Sequence, residues 1–140
     1  MIRKTAAALA VAAGFAGVIG LAAPALAATN GNGIPEVGEV VLWRDTNFVG
    51  PLRDFDTDEI CYPNDLSQPF IGDATTKVND NASSIVNYDA AHYIRAYIDC
   101  NYQGAYLQLL PYGVTSGGLS YAYSSLGTFD NKFSSHKIAP

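Results

Sequence analysis

From residue 39 onward the apolar positions come in short runs, and none keeps a helical period over three turns. The runs are Val40 to Trp43, Ser84 to Tyr88, Tyr93 to Ile98, Ala105 to Leu110 and Phe133 to Ile138, dominated by β-branched and aromatic residues. Gly, Pro, Asn and Asp separate them, a pattern that predicts a sandwich of short strands. Residues 28–38 (ATNGNGIPEVG) are polar and glycine-rich and predict a flexible leader.

The one long apolar run lies at the start. Arg3 and Lys4 precede a stretch from Ala6 to Ala23, and Ala25-Leu26-Ala27 supplies the small-x-small pattern that signal peptidase reads. A cut after Ala27 makes residues 1–27 a signal peptide and the remainder a secreted protein. The rival reading is a membrane anchor, and the run is near the lower length limit for one. It ends in Pro24 and a cleavage site with no stop-transfer charges behind, so no membrane association is expected after cleavage.

Residues 28–140 suit a single domain, expected over 39–140, that buries roughly two-thirds of the surface its unfolded chain exposes. Six basic residues stand against thirteen acidic ones in that part, a net charge of −7. Such a surface repels phosphate backbones, which argues against nucleic acid and suits divalent cations. Cys61 and Cys100 are an even pair in an exported chain and read as a disulfide. With two histidines they could bind zinc, but no CxxC or HxxxH spacing supports that.

Laid against itself, the chain repeats. Trp43-Arg-Asp-Thr-Asn-Phe48-Val-Gly50 recurs 54 residues later as Tyr97-Ile-Asp-Cys-Asn-Tyr102-Gln-Gly104, with Asp third and Asn fifth in both. Asn79-Asp80-Asn81-Ala82-Ser83-Ser84 recurs 51 residues later as Asp130-Asn131-Lys132-Phe133-Ser134-Ser135. Two signatures in the same order at nearly one separation mark a duplicated unit, with repeats at about residues 39–90 and 91–140.

The chemistry of each signature is legible. In the first, an aromatic residue ends a strand, a glycine supplies positive φ where a Cβ would clash, and the second aromatic covers the hairpin. In the second, a carboxylate, amide oxygens, two hydroxyls and free carbonyls lie within six residues. Calcium takes six to eight such hard oxygen ligands in flexible geometry. The same residues also favour turns by bonding their own backbone. Recurrence beside the aromatic hairpin favours the metal.

Together the two signatures resemble the βγ-crystallin superfamily, specifically its microbial calcium-binding members. Each Greek key there carries a (Tyr/Phe/Trp)-x4-(Phe/Tyr)-x-Gly hairpin and an (Asn/Asp)-(Asn/Asp)-x-x-(Ser/Thr)-Ser loop, and the match runs from Val40 to the C-terminus. The resemblance implies an all-β fold, two Greek-key motifs forming one eight-stranded, two-sheet sandwich with two calcium sites. Asp80 and Asn131 would give side-chain oxygens, and Ser83 and Ser134 hydroxyls. Main-chain carbonyls at Asn81 and Lys132, and near Asp45 and Asp99, would complete the shells, with Asn79 and Asp130 as further candidates. Trp43, Phe48, Gly50, Tyr97, Tyr102 and Gly104 would shape the hairpins, which Ser84 and Ser135 would lock.

Lys132 places an ammonium in the second loop, and each loop has one carboxylate, Asp80 or Asp130. Both features predict weak calcium binding, at about 10⁻⁵ to 10⁻³ M. A Ser-His-Asp set could be drawn from Ser134, His136 and Asp130, but the loop already accounts for them, and no nucleophile elbow, metalloprotease helix or phosphate loop is present. No enzyme is expected. The alternative function is inhibition of an extracellular metallopeptidase, because a family of secreted bacterial inhibitors shares this fold. The Thr57-to-Gly72 segment, with Cys61, Pro63 and Pro69, could be the stiff inhibitory loop. It also reads as the long inter-strand crossover that a Greek key requires. Nothing in the sequence calls for an obligate interface, so a monomer is expected.

Overall fold

A computed structural model describes residues 27–140. The expected signal peptide lies outside this range, apart from Ala27.

In chain order the strands are β1 (Val40–Trp43), β2 (Leu52–Phe55), β3 (Pro69–Phe70), β4 (Asp73–Lys77), β5 (Ser84–Asn87), β6 (Tyr93–Asp99) and β7 (Gln103–Leu109). There follow β8 (Thr115–Ser116), β9 (Leu119–Ser120), β10 (Ala122–Tyr123) and β11 (Ser135–Ala139). The only helical pieces among the described residues are three single 3-10 turns, at Thr46–Phe48, Cys100–Tyr102 and Gly127–Phe129. β1 coincides with the apolar run that predicts it, and β5, β6, β7 and β11 shift from theirs by one or two residues. β2 escapes the pattern because its sequence, Leu-Arg-Asp-Phe, is half charged.

Two sheets face each other. The first has the antiparallel order β10-β5-β1-β2 and the second the order β11-β6-β7. The position beside β11 in the second sheet is filled by a single bridge, Glu59 to His136, with both backbone hydrogen bonds at 3.0 Å. Each sheet therefore takes its outermost member from the other repeat: β10 of repeat two joins β5, and the Glu59 segment of repeat one joins β11. That exchange is what makes two Greek keys one domain, with one of the eight expected strands reduced to a bridge. Cys61 and Cys100 are bonded, 39 residues apart in sequence with Cα atoms 4.5 Å apart. They tie the exchanged segment of the first repeat to the hairpin of the second.

Alternation along the strands fills the space between the sheets. Val40, Leu42, Phe55, Ile85, Ile94, Ala96 and Leu109 point inward and meet Phe70, Tyr62 and Phe133 from the crossovers. β1 is apolar on both faces, because Val41 and Trp43 are covered on the outer side by Leu52, Val86, Tyr88 and Tyr121.

The leader forms no strand, and its amides are taken up by buried carboxylates. Asn32 and Gly33 donate to Asp54 at 2.9 and 2.8 Å, and Glu36 donates to Glu39 at 2.8 Å. Asp54 and Glu39 are both fully buried.

Candidate metal site

The two aromatic hairpins are built alike, atom for atom. Asn47 and Phe48 have φ of 62° and 59°, and Asn101 and Tyr102 have φ of 59° and 58°. Gly50 and Gly104 follow at φ of 79° and 78°, and a Cβ on either would run into the Asp45 or Asp99 carboxylate. This is why a glycine stands at that spacing and no other residue fits. Phe48 then packs edge-on against Trp43 at 5.6 Å, and Tyr102 tilts against Tyr97 at 6.0 Å.

Ser84 and Ser135, both fully buried, hold these hairpins shut. The Ser84 hydroxyl donates to the Asp45 carbonyl at 2.7 Å and accepts from the Phe48 amide at 3.1 Å. The Ser135 hydroxyl does the same with the Asp99 carbonyl at 2.6 Å and the Tyr102 amide at 3.3 Å. The Asp45 and Asp99 carbonyls are therefore already engaged, and each keeps its second lone pair.

The two oxygen-rich loops lie side by side. The Asp80 amide donates to the Phe133 carbonyl at 3.1 Å, and the Asn131 amide to the Ala82 carbonyl at 2.9 Å, a symmetric exchange between repeats. Asp80 and Asn131 both sit at positive φ, 58° and 54°. Asp and Asn are the non-glycine residues that tolerate that region best, which explains the second position of each loop. Both Ser83 and Ser134 donate their amides to the carbonyl of the facing aromatic residue, Trp43 and Tyr97, at 2.9 Å.

Side chains converge from both repeats on one of the two corners. Ser134 Oγ lies 3.4 Å from Asp80 Oδ1 across 54 residues of sequence. Asn79 orients the other carboxylate oxygen by donating to Asp80 Oδ2 at 2.9 Å. Asn79 is itself 93% buried, and its Oδ1 has no hydrogen-bond partner. The Asn81 amide turns back to the Asn79 carbonyl at 2.7 Å. In the opposite corner the Asn131 amide donates to its neighbour Asp130 at 3.2 Å, and Ser83 stands nearly buried. The Lys132 ammonium bonds the Thr128 carbonyl at 2.7 Å. Its own carbonyl, like that of Asn81, accepts no hydrogen bond among the described residues.

No three His, Cys, Asp or Glu side chains among the described residues are grouped so as to hold a metal ion. A cation held at these corners would rest mainly on amide, hydroxyl and carbonyl oxygens, a donor set that suits calcium and not zinc. The unpartnered, buried Asn79 Oδ1, on an amide that touches the Asp80 carboxylate, fits such an ion.

His136 serves the core. Its Nε2 lies 2.8 Å from the Thr57 carbonyl, which can only accept, so Nδ1 accepts from the Tyr62 hydroxyl at 2.8 Å. Burial pushes its pKa down to about 4 and pushes the Tyr62 phenol up. With both nitrogens engaged, the imidazole offers Ser134 no base. Sequence alone did not place Tyr62 or Thr57 here, since the exchanged segment shows no alternation. The same segment, Thr57 to Tyr62, is fastened to β11 through Glu59, Tyr62 and the Asp58 carboxylate, which accepts from the Ile138 amide at 2.6 Å. It acts as the crossover of the first Greek key.

No family profile and no curated protein matches this chain. Solved structures do. A structure from work on the evolution of the eye lens beta-gamma-crystallin domain fold matches at 21% identity over 76% of this chain and 90% of its own, with a TM-score of 0.55. A beta gamma crystallin from Ciona intestinalis matches at 22% identity over 72% and 99%, with a TM-score of 0.50. The N-terminal domain of protein S matches at 13% identity over 71% and 93%, also at 0.50. With the exchanged Greek keys and the paired hairpins, these likenesses establish that the chain has the βγ-crystallin fold.

Proposed function

We propose that this chain is a secreted calcium-binding module with two unequal sites where its paired loops meet. The observation that carries the reading is the approach of Ser134 Oγ to Asp80 Oδ1, a hydroxyl and a carboxylate brought together from different repeats. The first site centres on this pair, with Asn79 beside it. The second, by the pseudo-twofold, centres on Asn131 and Ser83, with Asp130 nearby. The unengaged Asn81 and Lys132 carbonyls are available to complete the shells. Ligand charge governs much of calcium affinity, so the Asp80 site is the tighter. In the second site a neutral amide replaces the carboxylate, and Lys132 adds a cation to the loop, although its ammonium is held at Thr128. Both sites fall in the weak extracellular range, about 10⁻⁵ to 10⁻³ M.

Calcium that binds only the folded form stabilises it by mass action, by about 1.4 kcal/mol at tenfold excess over Kd. Calorimetric titration should show two unequal binding events, and the melting temperature should be higher in calcium than in chelator. Ser134→Arg replaces a ligand with a cation and should remove the tighter event, while Ser83→Arg should remove the weaker one. Absence of heat together with equal melting temperatures would refute the reading, as would unchanged stoichiometry in both variants.

A further inference from the structure

On the outer face of the second sheet two cations stand directly opposite each other. Arg95 on β6 is in register with Lys137 on β11, and Gln108 on β7 faces Arg95 from the other side. Neighbouring strands are about 4.8 Å apart, so these three side chains make a row of donors about 10 Å long across the sheet. Like charges at directly opposed positions destabilise a sheet. Neither cation has a carboxylate within ion-pair distance among the described residues. Of the other cations among the described residues, Arg53 also has no ion pair and lies over the Phe55 ring at 5.6 Å, Arg44 holds Asp45 and Asp73, and Lys77 and Lys132 bond oxygens of Asn64 and Thr128.

Both side chains lie over tyrosine rings instead. The Arg95 guanidinium sits 5.3 Å from the centre of Tyr106, and the Lys137 ammonium 5.5 Å from that of Tyr102. Tyr97 touches both rings, at 5.4 and 6.0 Å, so a second row of three aromatics runs beside the donors. Tyr106, 47% exposed, presents a ring to solvent. Arg95 also donates to the Gln108 amide oxygen at 3.2 Å, which fixes the guanidinium plane.

The geometry points to this face as a binding site for an acidic polysaccharide, a chain of sugar rings bearing carboxylates. Sugar rings are apolar on their C–H faces and can lie on tyrosines. Their carboxylates would bridge the two cations that now repel each other, with Arg95 offering a planar fork suited to a carboxylate. The net charge of −7 over residues 28–140 opposes a polyanion at long range, but charges beyond about 8 Å are screened at physiological salt, so the local pair decides. Asp58 and Glu59 lie toward Tyr102, where their charge adds to burial in raising the phenol pKa, so Lys137 is the weaker end of the row and the contact is expected to centre on Arg95 and Tyr106. A single-stranded nucleic acid would use the same stacking, but it needs a positive groove that tracks its backbone, which two isolated cations do not make.

Affinity electrophoresis of the folded protein through gels containing polygalacturonate, with chelator present throughout, tests this independently of calcium. Polygalacturonate should retard the protein and neutral dextran should not, with the retardation vanishing at high salt. The double variant Arg95→Gln, Lys137→Gln keeps both side chains long and exposed, and should lose about tenfold or more in affinity, the loss of one or two charge-assisted contacts. Tyr106→Ala should weaken retention in low salt as well. No retardation by polygalacturonate, equal retardation of the charge variant, or equal retention on dextran would overturn the assignment. Stronger retention by an oligothymidylate gel would overturn it too, in favour of nucleic acid.

Discussion

Protonation of His136 should weaken the fold in a defined pH window. The imidazole is fully buried, with Nε2–H given to the Thr57 carbonyl and Nδ1 receiving the Tyr62 hydroxyl. A second ring proton would point at an oxygen that is itself donating, in a site closed to bulk solvent. Burial therefore lowers the pKa from 6.5 to about 4. Because the folded value is depressed, the unfolded chain takes up a proton between these limits that the folded one does not. Stability is fully present above about pH 6.5 and falls progressively toward pH 4, where the loss levels off at about 3 kcal/mol, at 1.36 kcal/mol per pKa unit.

Glu39 works in the opposite sense. Burial, with the charges of Asp54, Glu36 and Asp56, raises its carboxyl to about 7 against one amide donated by Glu36. The folded form holds its proton more tightly, so its contribution is present below pH 4.5 and is lost as pH rises through 7. The two groups partly offset each other in the wild-type curve, and the difference between wild type and His136→Gln removes Glu39 from the comparison. Urea unfolding in chelator, followed by fluorescence of Trp43, the sole tryptophan, gives both stabilities from about pH 7.5 to about pH 4. The wild type should lead at the upper end, and its lead should shrink by about 3 kcal/mol on the way down. Tyr62→Phe, which keeps the imidazole but removes its Nδ1 partner, should also unfold more easily at neutral pH. A lead that stays constant across the window would refute the burial argument.

Two further outcomes follow from the hairpins and the bridge. Ser135→Ala leaves a part-buried carbonyl and amide without their shared partner and should cost about 1–3 kcal/mol in urea unfolding, with Ser84→Ala close to it because its bonds are equivalent; near-neutral variants would show that the hydroxyls do not lock the hairpins. Replacing Cys61 and Cys100 by Ser frees a loop of 39 residues and should cost about 4 kcal/mol by the chain-entropy argument, and a melting temperature unchanged in the double variant would contradict it.

What the sequence disclosed was whatever the backbone demands of a single residue. Gly50 and Gly104 are there because a Cβ would strike an aspartate, and Asp80 and Asn131 because their loops turn through positive φ. Ser84 and Ser135 each bridge an amide and a carbonyl, which takes a hydroxyl that donates and accepts at once. Such constraints survive as fixed spacings, and two copies make them readable. The exchange of outer strands left no comparable trace. β10 has two residues and the Glu59 partner of β11 only one bridge, too short for alternation to show. The core role of His136 was hidden for the same reason: inward orientation at 136 and outward at 137 follows from the start of β11, which the preceding Ser-Ser conceals.

The exchange also bears on why the loops can cooperate. Neither Greek key completes its own sheet, so the Asp80–Ser134 corner exists only when both repeats are folded and docked. The loops meet through main-chain bonds, Asp80 to Phe133 and Asn131 to Ala82, which fix their separation before any side chain acts. An ion bound at the first corner would thus hold together two halves that already share strands, a disulfide and a core. It would also stiffen the second corner through those same bonds, lowering the ordering cost there. The proposed second site, with Asn131 in place of a carboxylate and Lys132 in its loop, would gain most from such help. A metal that stabilised one repeat without the other is incompatible with strands borrowed in both directions.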